Sequence, residues 1–370
     1  MELVVRKTDL LKELQLFQGI VERKNTIPIL ANVLLEASGD VLHLAATDLE
    51  VGLKAKCAAS VSKPGALTIP AKKFYEIVKE LPDTDIRIEE EKNGAVKVAA
   101  DRFESRMQTL PRDDFPTLSD MPADATEKID RQAMRQMVAK TQFAITGEDT
   151  RYFLNGALFV LRPGSMLLVA TDGHRLAHVS APRPGVDTPG EESKTILPKK
   201  TLSELARLLA DGEGDILFGR TENHIFFGID GRVLVSRMID GQFPAYERVI
   251  PKGNDKRVEF ERERITSAIR RVALLSNERS RAVKFSVDAN RVEVASHSPE
   301  LGEAHEQIVV DYSGPAMQIS FNAQYVLEFL NVVETDTIAI ELKDEVSQTV
   351  MRPIGTTGYD YTYVVMPMRI

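Results

Sequence analysis

His174 follows Asp172 by two residues, and Ser180 lies a little further on, so a base, an orienting carboxylate and a nucleophile of the right types fall within one short stretch. Nucleophilic catalysis needs these groups within hydrogen-bond reach of one another, which closeness in sequence does not supply. No G-x-S-x-G turn is present to expose a serine. His174 therefore reads as a structural or groove histidine. Asp83, Asp85, Glu89, Glu90 and Glu91 are hard oxygen donors that could hold a catalytic metal, but they straddle a turn and a hairpin, where a run of acids is ordinarily a solvated surface. His43, His174, His178, His224, His297 and His305 show no ligand spacing. His174 and His178 are four apart, but LLVATDGHRLAHVS reads as strand, turn, strand, and residues so spaced along a strand are too distant to chelate easily. There is no phosphate loop, dinucleotide-binding glycine pattern, H-E-x-x-H or C-x-x-C. The expectation is a protein that is not an enzyme, with no cofactor and no metal.

What positions these residues is a repeat. Amphipathic helix signals open three successive units at Thr8–Val21, Asp130–Ile145 and Glu263–Leu275. In the first, Leu10, Leu14, Phe17 and Val21 recur at helical spacing and Thr8 is placed to cap the start. A second helix signal follows in each unit: IPAKKFYEIVKEL from Ile69, ILPKKTLSELARLL from Ile196 and ISFNAQYVLEFLNVV from Ile319. Between the two helices runs an alternating strand ending in a small turn, with Thr47, Thr171 and Ser296 at matching places. Asn93-Gly94 is a hairpin signal. Polar, turn-rich joins at LSDMPADATE and IPKGNDKR separate the units. The expected division is 1–120, 128–246 and 248–370. Each unit reads as helix, strands, helix, strands, an α+β class with two helices packed on antiparallel sheets. Units of this size hold their own cores, unlike solenoid repeats, and three joined tail to head suggest an arc that a heterologous contact could close into a ring.

A chain of 370 residues with 43% hydrophobic and 28% charged residues fits two or three soluble globular domains. The lone Cys57 cannot form an internal disulfide and the start lacks a signal-peptide core, so the expected location is the cytoplasm. No run reaches the length of a membrane span. The net charge of −8 argues against a wholly basic surface, yet leaves open a basic face on an otherwise acidic molecule, because the field that matters is local.

Along its whole length the sequence resembles the bacterial DNA polymerase III β subunit family, the sliding clamps. The resemblance is carried by TIPIL (Thr26–Leu30), RYFLNG (Arg151–Gly156), TDGHRLA (Thr171–Ala177), LPKK (Leu197–Lys200), FPAYERVIP (Phe243–Pro251), LSNE (Leu275–Glu278) and YVVMPMRI (Tyr363–Ile370), in that order on the repeat. It implies three DNA-clamp domains per chain and a head-to-tail homodimeric ring, with helices facing a central hole that duplex DNA threads without sequence preference. It also implies tethering of the replicative DNA polymerase, the clamp loader and other proteins bearing a clamp-binding motif. A repeat scaffold for protein partners that never encircles DNA is the alternative reading.

For DNA contact the resemblance points to Lys24, and the helix starts offer Lys72, Lys73, Lys199 and Lys200. Lys12, Lys79, Arg131, Arg135, Lys140, Arg207, Arg264, Arg270 and Arg271 also fall on the helix signals. Phosphate contacts of this kind carry no sequence information and suit sliding. Glu148 stands where the family has a DNA-contacting glutamine and would repel phosphate, so it is not carried over. For the partner-peptide groove the matching positions are Leu154, Thr171, Gly173, His174, Arg175, Leu176, Pro244, Arg248, Val249, Val364, Met366, Pro367, Met368 and Arg369. Leu, Val, Pro and Met make an adaptable apolar pocket, with Arg175, Arg248 and Arg369 available as a rim. The plainer reading of Val364, Met366 and Met368 is one buried face of a last strand.

Overall fold

The computed structural model describes residues 1–21, 27–91, 94–123, 126–147, 149–184, 192–356 and 358–369. Lys24, Asn93, Glu148 and much of the segment Arg183–Ser193 lie outside them. Among the described residues six α-helices form: α1 (Lys7–Phe17), α2 (Ala71–Glu80), α3 (Arg131–Thr141), α4 (Lys199–Leu208), α5 (Arg262–Ala273) and α6 (Ala323–Val332). Each follows directly on a strand, and the residues before α1, α5 and α6 are still extended. Helix α1 starts one residue earlier than its sequence suggests. Thr8 therefore lies inside the helix, and Arg6, at the cap position, makes no side-chain cap bond. At α6, by contrast, Asn322 accepts the backbone N–H of Gln324 at 2.9 Å.

The chain divides into two compact units, Met1–Gln132 with Lys200–Met238, and Ala133–Lys199 with Ile239–Ile370. The first holds a five-stranded sheet ending at the edge strand Phe103–Gln108, and an eight-stranded sheet. All its ladders are antiparallel. At the middle of the larger sheet, Arg232–Arg237 pairs with Val51–Ala58, setting Leu234 opposite Leu53 and Val235 opposite Gly52. That seam joins a strand of the second sequence repeat to a strand of the first. The second unit repeats the device: Arg175–Pro182 pairs with Asp360–Val365, setting Leu176 opposite Val364 and Ala177 opposite Tyr363. Its smaller sheet has four strands and ends at the edge strand Gly302–Val309.

Charge clamps brace both units. In the first, Arg232 holds Glu13 of α1 at 2.5 Å with both side chains almost buried, and Lys200 is bonded to the buried carboxylate of Asp48. In the second, the fully buried Lys140 lies 3.6 Å from Glu334 and 4.6 Å from the centre of the Tyr359 ring. Burial pulls the Lys140 ammonium below the usual lysine range, and Glu334 offsets part of that pull. Among the described residues no helix is long and apolar enough to cross a membrane.

Candidate functional site

The site begins with a tight turn in the second unit. Strands Ser165–Thr171 and Arg175–Pro182 are joined by Asp172, Gly173 and His174. Asp172 is a turn former because its carboxylate folds back on the chain: Oδ1 accepts the backbone N–H groups of His174 at 2.9 Å and Arg175 at 3.0 Å. The Thr171 hydroxyl donates to the Arg175 carbonyl at 2.6 Å and accepts the Gly173 N–H at 3.1 Å. Gly173 has φ +87°, a left-handed conformation that side chains resist. The sequence Thr-Asp-Gly is thus a statement about backbone shape, and the triad reading fails on it, since the Asp172 carboxylate is spent on the turn and on Arg175. The imidazole of His174 instead stacks over Tyr325 of α6, ring centres 6.5 Å apart.

Beside the turn the chain makes its last strand, which ends at Val365. Met366 then donates its N–H to the His174 carbonyl at 2.9 Å, holding its side chain against the turn. Met366 is 40% exposed and Val364 is 1% exposed, so a single buried strand face does not describe these residues.

Together these elements enclose a cleft of about 190 Å³. Of the expected groove residues it brings together Leu154, Thr171, Gly173, His174, Arg175, Leu176, Pro244, Val249, Val364 and Met366. Arg151 and Tyr246 join them, both missed as site residues although they sit inside RYFLNG and FPAYERVIP. Arg248, Pro367, Met368 and Arg369 do not line it. Arg248 is exposed on the short turn Tyr246–Arg248, and Met368 and Arg369 border a separate, larger hollow. The floor is firm: Leu158, Val160, Leu167, Val169, Leu176, Phe243, Tyr246, Val350 and Val364 form one apolar cluster. Tyr246 also packs on His178 at 5.6 Å, and burial pushes that imidazole below its usual range.

Arg175 does not serve as a rim donor. Its side chain is 7% exposed and its guanidinium is spent on Asp172 at 3.0 Å, on the Phe143 carbonyl at 2.7 Å and on Glu328. It also lies over the Tyr325 ring at 4.3 Å. Arg151 is the exposed guanidinium at the mouth, held by Asp149, whose carboxyl it lowers to about 2 through paired hydrogen bonds.

The first unit has a seam of the same construction. Gly52 stands opposite Val235 as Leu176 stands opposite Val364. A Cβ added to Gly52 would come within 2.5 Å of the Leu118 side chain. Leu118 therefore lies directly over Gly52, at the border of a hollow of about 540 Å³ that Lys54, Ala55, Phe115 and Pro116 also line.

The helices carry the candidate DNA contacts. Lys72 and Lys73 are exposed on α2, 3.8 Å and 2.6 Å from Glu76. Lys199 is exposed, with its Nζ donating to the Ile145 carbonyl at 3.1 Å. Lys200 is committed to Asp48, which leaves less of its charge for a phosphate. Lys12, Lys79, Arg135, Arg207, Arg264, Arg270 and Arg271 are exposed, whereas Arg131 and Lys140 are buried. Arg131 is bonded to Asp230 at 3.0 Å and to the Leu208 carbonyl, so both buried residues are structural. Of the acids considered for a metal, Glu90 is spent on the N-terminal amine and Glu91 on Arg106, while Glu89 lies near Arg87. Among the described residues no group of three or more His, Cys, Asp or Glu could hold a metal ion.

Comparison with known proteins adds a whole-chain likeness. Residues 1–119, 128–245 and 247–369 match in turn the N-terminal, central and C-terminal domains described as DNA polymerase III beta subunit. The beta sliding clamp of Pseudomonas putida is 38% identical over 374 residues, covering all of both chains. That of Escherichia coli (strain K12) is 36% identical over 372 residues, again covering all of both. A crystal structure of a DnaN sliding clamp from Pseudomonas aeruginosa bound to griselimycin superposes with a TM-score of 0.93 at 37% identity, over 100% of each chain.

Proposed function

Because this chain belongs to the family of bacterial DNA polymerase III β subunits, the sliding clamps, we propose that it encircles duplex DNA as a head-to-tail homodimeric ring and tethers DNA polymerase and other replication and repair proteins to it. The observation that carries this reading is the match of all three domains, in order, over the full length of the curated relatives. The family is non-catalytic, and the protein is not an enzyme.

The sheets support the dimer. Inside each unit a strand of one repeat pairs with a strand of the next, and Phe103–Gln108 and Gly302–Val309 are edge strands of the two smaller sheets. A free edge is a template for another strand. Phe103 is 41% exposed on the first and Val309 71% on the second, while Leu274 just beyond α5 is 76% exposed. Pairing these edges between two copies covers apolar surface and repeats the internal seam. We divide the chain at 1–120, 128–246 and 248–370, a reading supported by the matches at 1–119, 128–245 and 247–369, with two helices in each part.

Exposed Lys72, Lys73 and Lys199, helped by Arg135, Arg207, Arg264 and Arg270, meet the DNA backbone through phosphates alone. Lys24 belongs with them by resemblance, and Lys200 contributes charge from its bond with Asp48. Contacts of this type are salt-sensitive and indifferent to sequence, so the ring holds DNA by enclosing it. The cleft at Leu154, Thr171, Gly173, His174, Arg175, Leu176, Pro244, Val249, Val364 and Met366 takes an apolar side chain of a partner's peptide. Arg248, Pro367, Met368 and Arg369 extend that surface along its margin. The working location is the cytoplasm, where the chromosome of a bacterium lies.

The test is topological. The protein is loaded on nicked circular DNA with its clamp loader and the DNA is then cut. Retention on circles and loss from the linear form is expected. Equal retention on both forms would rule out encirclement.

A further inference from the structure

The sheet face opposite the helices is covered by the protein's own chain in two places and left open in a third. In the first unit, the segment that carries Phe115-Pro116 crosses that face. Phe115 packs with Ile29 and Leu30, Arg112 holds Glu36 at 2.5 Å, and Lys54 donates to the Leu118 carbonyl at 2.9 Å. In the second unit, the segment that carries Phe243-Pro244 does the same, with Phe243 and Tyr246 lying on Leu158, Leu167 and Val169. The third such face belongs to the four-stranded sheet. Its Lys284, His297, Glu303 and His305 are exposed and its Ala295 is half-buried. They line a hollow of about 1220 Å³, against about 540 Å³ beside the Phe115 segment on the first face and about 190 Å³ for the groove.

Residues 366–369 run from one hollow to the other. Met366 lines the groove, while Met368 and Arg369 line the open face. Met368 is fixed there by its N–H, which donates to the Ser320 carbonyl at 2.7 Å. The open face also differs in chemistry from the covered ones. Where the second unit has Leu and Val, it presents Lys284, Glu293, His297, Glu303 and His305, side chains that tolerate water when nothing is bound. The mixture of both charge signs with Ala295, Val346 and Met368 suits an extended chain of mixed character.

We propose that this face takes the residues flanking the apolar core of the same partner peptide, laid across the sheet in extended form as the chain's own Phe-Pro segments lie on the other two faces. The proposal rests on the groove reading above and lengthens it. Partner affinity and partner preference then depend on sequence outside the short core.

The experiment uses the assembled ring and the organism's replicative polymerase. The polymerase segment that cross-links to a photoreactive residue placed at position 366 is made as two synthetic peptides, the core of about six residues and a form of about twenty. The long peptide is expected to bind about tenfold more tightly than the core. Lys284→Glu with His297→Ala removes that advantage and leaves core binding unchanged. Equal binding of both peptides to the unaltered ring overturns the proposal while the groove reading stands. An advantage that survives the double substitution overturns it as well. A photoreactive residue at position 297 is expected to mark the long peptide, and marking only another copy of the chain counts against the proposal. Failure of both peptides to bind sinks the groove reading and this inference with it.

Discussion

The guanidinium of Arg175 is hydrogen-bonded to the carboxylate of Glu328, which ties the hairpin at the groove to helix α6. Both groups are largely withdrawn from water, so breaking the pair strands a charge. Arg175→Ala is expected to cost about 3 kcal/mol in urea denaturation. Glu328→Gln, which keeps a hydrogen-bond acceptor, costs less. Arg175→Ala also loosens the wall formed by His174, so partner binding weakens even where the variant is fully folded. Unchanged stability in both variants would mean the contact is idle.

Met366 is partly exposed and packs at the mouth of the groove. Met366→Lys is therefore expected to leave the unfolding midpoint within about 0.5 kcal/mol of the parent and to weaken polymerase binding at least tenfold. The two readouts are a denaturation curve and a binding titration on the same sample. Loss of the dimer in this variant would show that Met366 is a core residue instead.

Phe103 and Val309 lie on edge strands of the five-stranded and four-stranded sheets. Phe103→Glu places a charge where apolar cover is expected, and mass measurement at micromolar concentration should give a monomer where the parent gives a dimer. The folded monomer persists, because Phe103 is far from fully buried. A dimer of undiminished stability would place the joint elsewhere.

Lys72 and Lys73 carry charge on an exposed helix face. Replacing both with alanine should lower the slope of log affinity against log salt by about 1.8, at about 0.9 per phosphate contact. The slope is read from direct DNA binding across a salt series. An unchanged slope would remove these lysines from the DNA-facing surface.

Burial, with the nearby Glu13 and Asp9 adding to it, pushes the Cys57 thiol up to about 12 from a reference of 9.0. An acid raised in the folded state contributes stability that is complete below pH 9 and is lost as pH climbs toward 12. The folded protein should therefore resist thiol reagents at pH 8, and Cys57→Ala should flatten the alkaline loss of stability measured by urea titration. Rapid labelling of the native protein at pH 8 would contradict the burial.

Much of this was legible in the sequence because it is local. Helical spacing at Leu10, Leu14 and Phe17 places the buried stripe of α1, and Thr-Asp-Gly announces its turn through side-chain and backbone preferences alone. Helix starts were less so. Thr8 looks like a cap, yet the strand Glu2–Arg6 runs straight into the helix and takes that place. Arg131 and Lys140 look like solvated helix residues, as cations usually are, and both are buried. Their partners, Asp230 and Glu334, come from distant parts of the chain. The seams are hidden for the same reason: nothing near Val51 says that it will meet Ser236. Arg175 shows the limit for the groove, since its type suggests a rim donor and only the fold reveals that its bonds are already taken.

Leu118 leaning over Gly52 makes that glycine a fixed point of the first unit's seam. Any side chain introduced there has to push Leu118 aside, so the smallest of substitutions on the strand is felt by a loop more than sixty residues further along.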